Sequence, residues 1–310
     1  MPLLVLLVLL AAGLGVADAL LKVHRPVSAG VSAQPTNACA PRHAPHEPFL
    51  GVAVTRPSSQ ALAAFKGATG ITPSVVELYV KFGAPFRRPL MCRLTSKGAL
   101  PLIQINPRRA SLSRIAAGDY DGYLKQYARH AAAFGLPIAL SFGHEMNGSW
   151  YPWGYRHTTP ALFVKAWRHI HEMFTRAGAR NIIWVWTVDR DSRLPFASPA
   201  RWWWPGSAYV TWIGINGKYD TARSTFSSVF TRSVIAIAAF TSKPILLTET
   251  GVARGPRQPA QIRNLFRGLT HTPQITGMVW FDVNAAHGNW KLEGDPAADA
   301  ALRKAAASYK

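Results

Sequence analysis

Eight short apolar runs, each divided from the next by a longer stretch with helical spacing or polar turn residues, constrain this chain more than any other feature of its sequence. The runs are Phe49–Val54, Val75–Val80, Leu100–Ile105, Pro137–Phe142, Asn181–Thr187, Tyr209–Asn216, Pro244–Glu249 and Ile275–Phe281. Their length suits strands buried on both faces. Between them, Tyr120–Phe134 places Tyr123, Tyr127 and Ala131 at four-residue spacing. Pro160–Ala177 opens with proline, which a helix tolerates in its first turn because the missing N–H would have no partner there. Helical crossovers return the chain to the same end of the sheet, so the strands must run parallel. Eight such units predict a single α/β domain, a (β/α)8 TIM barrel over residues 49–310. An open doubly wound sheet is the alternative, but it favours a glycine-rich phosphate turn after the first strand, and here that turn reads Thr55-Arg56-Pro57. At 310 residues and 48% hydrophobic content, the chain is large enough for one such core.

A barrel gathers its chemistry at the C-terminal ends of its strands, which decides which carboxylates matter. The six glutamates are Glu47, Glu77, Glu145, Glu172, Glu249 and Glu293. Glu145 lies just past the fourth run and Glu249 ends the seventh. Cleaving a glycosidic bond takes two such groups across one cavity, one to protonate the leaving oxygen and one to attack the anomeric carbon or activate water. The segment Ser141-Phe142-Gly143-His144-Glu145-Met146-Asn147-Gly148-Ser149-Trp150-Tyr151-Pro152-Trp153-Gly154 also brings three aromatics close behind the glutamate. Flat aromatic faces suit the C–H faces of pyranose rings. The plainer readings are a helix-capping carboxylate for Glu145 and a loop salt bridge for Glu249.

The Ser141–Gly154 segment resembles the acid/base motif of glycoside hydrolase family 26, whose best-known members are endo-β-mannanases. Lys243-Pro244-Ile245-Leu246-Leu247-Thr248-Glu249-Thr250-Gly251 resembles that family's nucleophile strand, and Met278-Val279-Trp280-Phe281-Asp282-Val283 its closing strand. The likeness implies a retaining endo-β-glycosidase with Glu145 as acid/base and Glu249 as nucleophile, requiring no metal or organic cofactor and acting on a polysaccharide. The leading substrate it implies is β-1,4-mannan or glucomannan, while other members hydrolyse β-1,3-1,4-glucan or β-1,3-xylan. A non-catalytic carbohydrate-binding or envelope protein is the rival, and retention of both glutamates argues against it.

The same resemblance implies that His144 helps hold the nucleophile and the sugar, and that Trp280 stacks below the reacting ring. Trp150 and Trp153 are further candidate platforms. Asn147 would orient Glu145 or bind a hydroxyl, or else serve as a turn residue before Gly148. Trp167, Trp184 and Trp186 read as packing, and Trp202-Trp203-Trp204 as an extension of the cleft or a plug on the barrel flank. A zincin site is excluded because H-E-x-x-H needs histidine where Gly148 stands. Two departures matter. Many members read Gly-Ile-Asp-Gly-Tyr after strand six, with the tyrosine on the nucleophile, whereas this chain reads Gly214-Ile215-Asn216-Gly217-Lys218-Tyr219, inserting Lys218 before the matching Tyr219. In strand three, Gln104-Ile105-Asn106-Pro107 stands where many mannanases place bulky aromatics or histidine.

Lys and Arg number 35 against 15 Asp and Glu, a net charge of +20. The basic residues are scattered, with Arg87-Arg88 and Arg108-Arg109 the densest pairs, and no nucleic-acid module is present, so a solvated basic surface is expected rather than a nucleic-acid partner. Such charge also allows association with an anionic cell envelope. Leu3 to Val16 is apolar and precedes Ala17-Asp18-Ala19, so residues 1–21 read as a signal peptide or an N-terminal anchor. Lys22, His24 and Arg25 just beyond the apolar run oppose the usual export topology and leave an uncleaved anchor or a mis-called start open. The expectation is a secreted protein, or one held at the outer membrane surface, and a monomer. Residues 22–48, rich in Pro, Ala, Ser and His, read as a linker. The two cysteines, Cys39 and Cys92, are expected to pair in an exported chain and staple that linker to the barrel.

Overall fold

The computed structural model describes Cys39 and residues 46–190, 197–285, 288–292 and 295–309. The expected signal or anchor segment and most of the linker lie outside the described residues. Among those described, no helix is long and apolar enough to cross a membrane.

Eight parallel strands close into a barrel in chain order. They are β1 (Phe49–Ala53), β2 (Val75–Lys81), β3 (Leu100–Asn106), β4 (Ile138–Phe142), β5 (Ile182–Asp189), β6 (Trp212–Asn216), β7 (Ile245–Thr250) and β8 (Ile275–Phe281). Closure comes from the β1–β8 ladder, in which Gly51 faces Val279 and Ala53 faces Phe281. Between strands run α1 (Ser59–Thr69), α2 (Arg88–Thr95), α3 (Leu112–Ala117), α4 (Asp121–Phe134), α5 (Pro160–Arg176), α6 (Arg232–Ala238) and α7 (Gln258–Thr270), with α8 (Pro296–Ala307) last. The starts are written in the sequence: Ser58 and Thr159 accept the N–H groups of Ala61 and Leu162 at the heads of α1 and α5.

Alternation along the strands sorts side chains into two cores. Phe49, Ala53, Val75, Leu100, Leu102, Ala139, Val185, Leu246 and Val279 fill the barrel lumen. The residues between them, such as Val52, Val76, Ile103, Leu140 and Trp280, face the helices. Parity therefore decides which side chains can reach a site at the top of the lumen. The expected disulfide is present, linking Cys39 to Cys92 across a separation of 53 residues, and Thr95 Oγ1 on α2 donates to the Cys39 carbonyl at 3.0 Å. In the loop-entropy account, a closed loop of this length stabilises by about 4 kcal/mol.

Candidate active site

At the upper end of β4 the chain turns through two residues in the left-handed region, Gly143 at φ 57° and Glu145 at φ 55°. Such a conformation costs a non-glycine residue about 1–2 kcal/mol and persists only where surroundings enforce it. Here the Glu145 N–H donates to the Thr187 carbonyl of β5 at 2.9 Å, fixing the turn. A Cβ at residue 143 would press on the Phe163 and Trp153 rings at 3.0 and 3.2 Å, so a side chain there would also need those rings to give way. The strained turn aims the Glu145 side chain over the lumen.

Glu145 Oε1 accepts from Asn216 Nδ2 at 2.7 Å, and Oε2 from Trp150 Nε1 at 2.6 Å. The Asn216 amide is oriented in turn, because its Oδ1 accepts the Thr248 hydroxyl at 2.7 Å. Glu249 lies near the end of β7. Its Oε1 accepts the Tyr79 hydroxyl at 2.7 Å and its Oε2 the Lys218 ammonium at 2.7 Å. Ladder register shifts on both sides of β7 let successive side chains, Thr248 and Glu249, both reach the site.

Burial alone would raise the Glu249 carboxyl, but the Lys218 charge and the hydrogen bonds donated by Lys218 and Tyr79 outweigh it and hold Glu249 below the usual carboxylate range. Glu77 has the opposite fate. It lies wholly buried in β2, pushed well above its usual range by burial and then by the negative charge of Glu249. Gln104 Nε2 donates to its Oε1 at 2.7 Å, while its Oε2 has no partner among the described residues. Burial also lowers His144, keeping its ring neutral near pH 7, with Nε2 3.2 Å from the Tyr151 hydroxyl.

Of the sequence-derived site residues, Glu145, Glu249, His144 and Trp150 converge here. Trp150 remains 46% exposed, its ring presented at the mouth while its N–H holds the Glu145 carboxyl. A side chain on Gly148 would overlap that ring. The structure corrects four other assignments. Trp280 is fully buried and faces the helices, its N–H donating to the Trp290 carbonyl at 3.0 Å, because it has the outward parity of β8. The lumen-facing aromatic there is Phe281. Trp153 is buried behind the turn, stacked on Tyr151 at 4.4 Å and donating to the His144 carbonyl. Asn147 spends both amide atoms on the Asp189 backbone, at 3.0 and 2.8 Å, and so ties the turn to β5.

Tyr219 is the fourth. The Gly217 and Tyr219 N–H groups bond the Glu249 and Gly251 carbonyls, extending the β6–β7 pairing. Alternation along that extension sends Lys218 inward and Tyr219 outward, where its hydroxyl meets Asn264 Oδ1 on α7 at 3.0 Å. The inserted lysine thus stands on the glutamate. In the Trp202–Trp204 run only Trp202 is exposed; Trp203 is buried and Trp204 packs on Trp186 and Phe240.

Sequence reasoning did not select Glu77, Tyr79, Gln104, Asn216, Lys218 or Phe281 as site residues. A signal for the first two was available: Glu77 is a charged residue inside an apolar run, and Tyr79 shares its face.

A closed parallel barrel with two strand-end carboxylates and an exposed tryptophan at its mouth has the architecture of a barrel glycosidase. Residues 110–291 match the model of glycosyl hydrolase family 26, and the chain belongs to that family. It is 30% identical over 266 residues to Endoglucanase H of Acetivibrio thermocellus, covering 81% of this chain and 29% of that protein. It is 24% identical over 173 residues to mannan endo-1,4-β-mannosidase A and B of Caldalkalibacillus mannanilyticus, covering 52% and 32% respectively. The chain thus spans about a third of the length of these curated relatives. Among solved structures, a family 26 β-mannanase from Bacteroides ovatus superposes with a TM-score of 0.65 at 14% identity, over 85% of this chain and 89% of that one.

Proposed function

We propose that this protein is a retaining endo-β-glycanase that cleaves β-1,4-mannan or glucomannan, with Glu249 as nucleophile and Glu145 as acid/base. The observation that carries this reading is the contrast between the two carboxyl groups. Glu249 is clamped by an ammonium and a phenol, which favour a standing negative charge. Among the described residues, Glu145 accepts the neutral donors of Asn216 and Trp150 and forms no ion pair, the surroundings expected of a group that passes a proton back and forth.

In the first step Glu145 protonates the departing glycosidic oxygen while Glu249 attacks the anomeric carbon, through an oxocarbenium-like state, to form a glycosyl ester. In the second, Glu145 takes a proton from water, whose oxygen displaces Glu249. His144, neutral and edge-on to Tyr79, completes the wall beside Glu249. Trp150 at the mouth and Phe281 in the lumen supply apolar faces for the sugar. Metal and organic cofactors have no part in this scheme. A second reading, a β-glucan as substrate, is favoured by the similarity to Endoglucanase H. The apolar N-terminal run, with the disulfide, supports action outside the cytoplasm.

The test is hydrolysis of purified mannan, glucomannan, lichenan and β-1,3-xylan, with product sizes followed over time. Glu249→Ala should abolish turnover of polymers and aryl glycosides alike, and Glu145→Ala should retain action on aryl glycosides whose leaving groups need no proton. Equal loss on both substrate types would refute the roles. Cleavage of lichenan with no mannan cleaved would move the substrate to β-glucan and leave the mechanism standing.

A further inference from the structure

Lys218 occupies the place opposite Glu249 where the family pattern leads one to expect a tyrosine. Its Nζ lies 2.7 Å from Glu249 Oε2, with the lysine side chain 17% exposed and the glutamate side chain 7%. A pair this buried is weak support for the fold, since removing two ions from water offsets most of their attraction. A second feature of the lysine is harder to explain by stability alone. Its ammonium lies 4.2 Å from the centroid of the Phe281 ring and 5.6 Å from that of Trp290, rings that themselves meet edge to face at 5.7 Å.

Aromatic faces attract a cation whether or not a counter-ion is present. That property matters at one moment of a retaining reaction. When Glu249 becomes an ester its charge vanishes, and a buried ammonium would otherwise stand without a partner at a cost of several kcal/mol. The rings cover part of that deficit. Glu145 adds to this: once it has given up its proton it is a carboxylate, whose negative charge favours the Lys218 ammonium.

We propose that Lys218 is a positioning residue for the second half of the reaction: it remains an ammonium in its aromatic cage while Glu249 is esterified, and stabilises that carboxylate as it departs. This rests on the retaining reading given above. In the step concerned, the bond between the anomeric carbon and Glu249 breaks and its electron pair returns to the carboxylate. The water oxygen bonds to the anomeric carbon, and its proton passes to Glu145. Negative charge grows on Glu249 along this coordinate, so the lysine binds the transition state more strongly than the ester and lowers that barrier. In the first half the same contact stabilises the attacking carboxylate and gives no such help. Removing Lys218 should therefore slow hydrolysis of the intermediate more than its formation.

The experiment compares the wild type with Lys218→Met and Lys218→Arg on an aryl β-glycoside with a good leaving group. Lys218→Met should release one equivalent of phenol per enzyme in a burst, then turn over on the order of 10²-fold more slowly, with the glycosyl-enzyme visible by intact mass. Lys218→Arg should recover most of the rate. A Met variant that slows without a burst, or that turns over like the wild type, would overturn the proposal. A measurement independent of turnover is the carbon-13 titration of Glu249 in the free protein. Its midpoint should rise in the Met variant and stay low in the Arg variant, and an unchanged midpoint in folded Lys218→Met would equally overturn the proposal. If the wild type cleaves no glycan, the activity reading fails and the role in turnover fails with it, while the titration still decides whether Lys218 holds the Glu249 charge.

Discussion

Asn216 Nδ2 donates to Glu145 Oε1 at 2.7 Å, while the same residue pairs in register with Glu249 across the β6–β7 ladder. One asparagine therefore touches Glu145 through its side chain and flanks Glu249 through its backbone. The Thr248 hydroxyl on Asn216 Oδ1 leaves the amide a single useful orientation, with its donor toward Glu145. The Asn216 amide, a neutral donor, thus ties the Glu145 carboxyl to the ladder position beside Glu249.

Replacing Asn216 by alanine should lower kcat/KM with little change in KM. A hydrogen bond to a charged acceptor contributes about 1.5–3 kcal/mol, or roughly 10- to 150-fold in rate if it is made fully in the transition state. Steady-state kinetics on the preferred polymer, with a thermal melt to confirm folding, reads this out. A variant with wild-type kcat would mean that Glu145 needs no such anchor.

Trp280 and Phe281 should respond oppositely although they are neighbours. Trp280→Ala empties a buried site among the helices and should destabilise by about 3–5 kcal/mol, with the residual folded enzyme retaining its KM. Phe281→Ala removes a lumen-facing ring that also covers the Lys218 ammonium, and should cost activity on the order of 1–3 kcal/mol in transition-state terms with a smaller effect on the melting temperature. Denaturant titration and kinetics of both variants decide it. Loss of activity confined to the Trp280 variant at unchanged stability would contradict the parity argument.

Glu77 gives a pH test. Its carboxyl is held well above the ordinary range by burial and by Glu249, so the folded state favours the protonated form. The stability it contributes is full below the unfolded value of about 4.3 and is lost as pH rises toward the folded one. Glu249 has the opposite sign, contributing stability above its unfolded value that is lost as pH falls through its lowered one, but it titrates in wild type and variant alike. Glu77→Gln keeps the shape, and the gain in melting temperature over wild type should therefore grow from about pH 4 to about pH 7. A gain that does not change with pH would show that Glu77 is not the titrating group.

The barrel and the strand-end placement of Glu145 and Glu249 were legible in the chain because both depend on local pattern. Apolar runs such as Leu100–Ile105 and Ile275–Phe281 set strand length, helical spacing in Tyr120–Phe134 set the crossovers, and strand ends mark where chemistry collects. A one-residue difference was not legible. Trp280 against Phe281, and Lys218 against Tyr219, differ only in parity, and parity is fixed by how a strand pairs with its neighbours rather than by composition. Trp153 and Asn147 failed for a related reason, since whether a loop residue lines a cleft or braces the turn behind it depends on which elements stand beside it. The contacts that give each glutamate its character join residues far apart in sequence, Tyr79 to Glu249 across 170 positions and Asn216 to Glu145 across 71. Local sequence determined that strands would form and where their carboxylates would end. Only closure of the barrel, which brings β2, β6 and β7 around one lumen, decided that burial and neighbours would favour the charge of one glutamate and the proton of another, and that a lysine would stand between the first and a wall of aromatic rings.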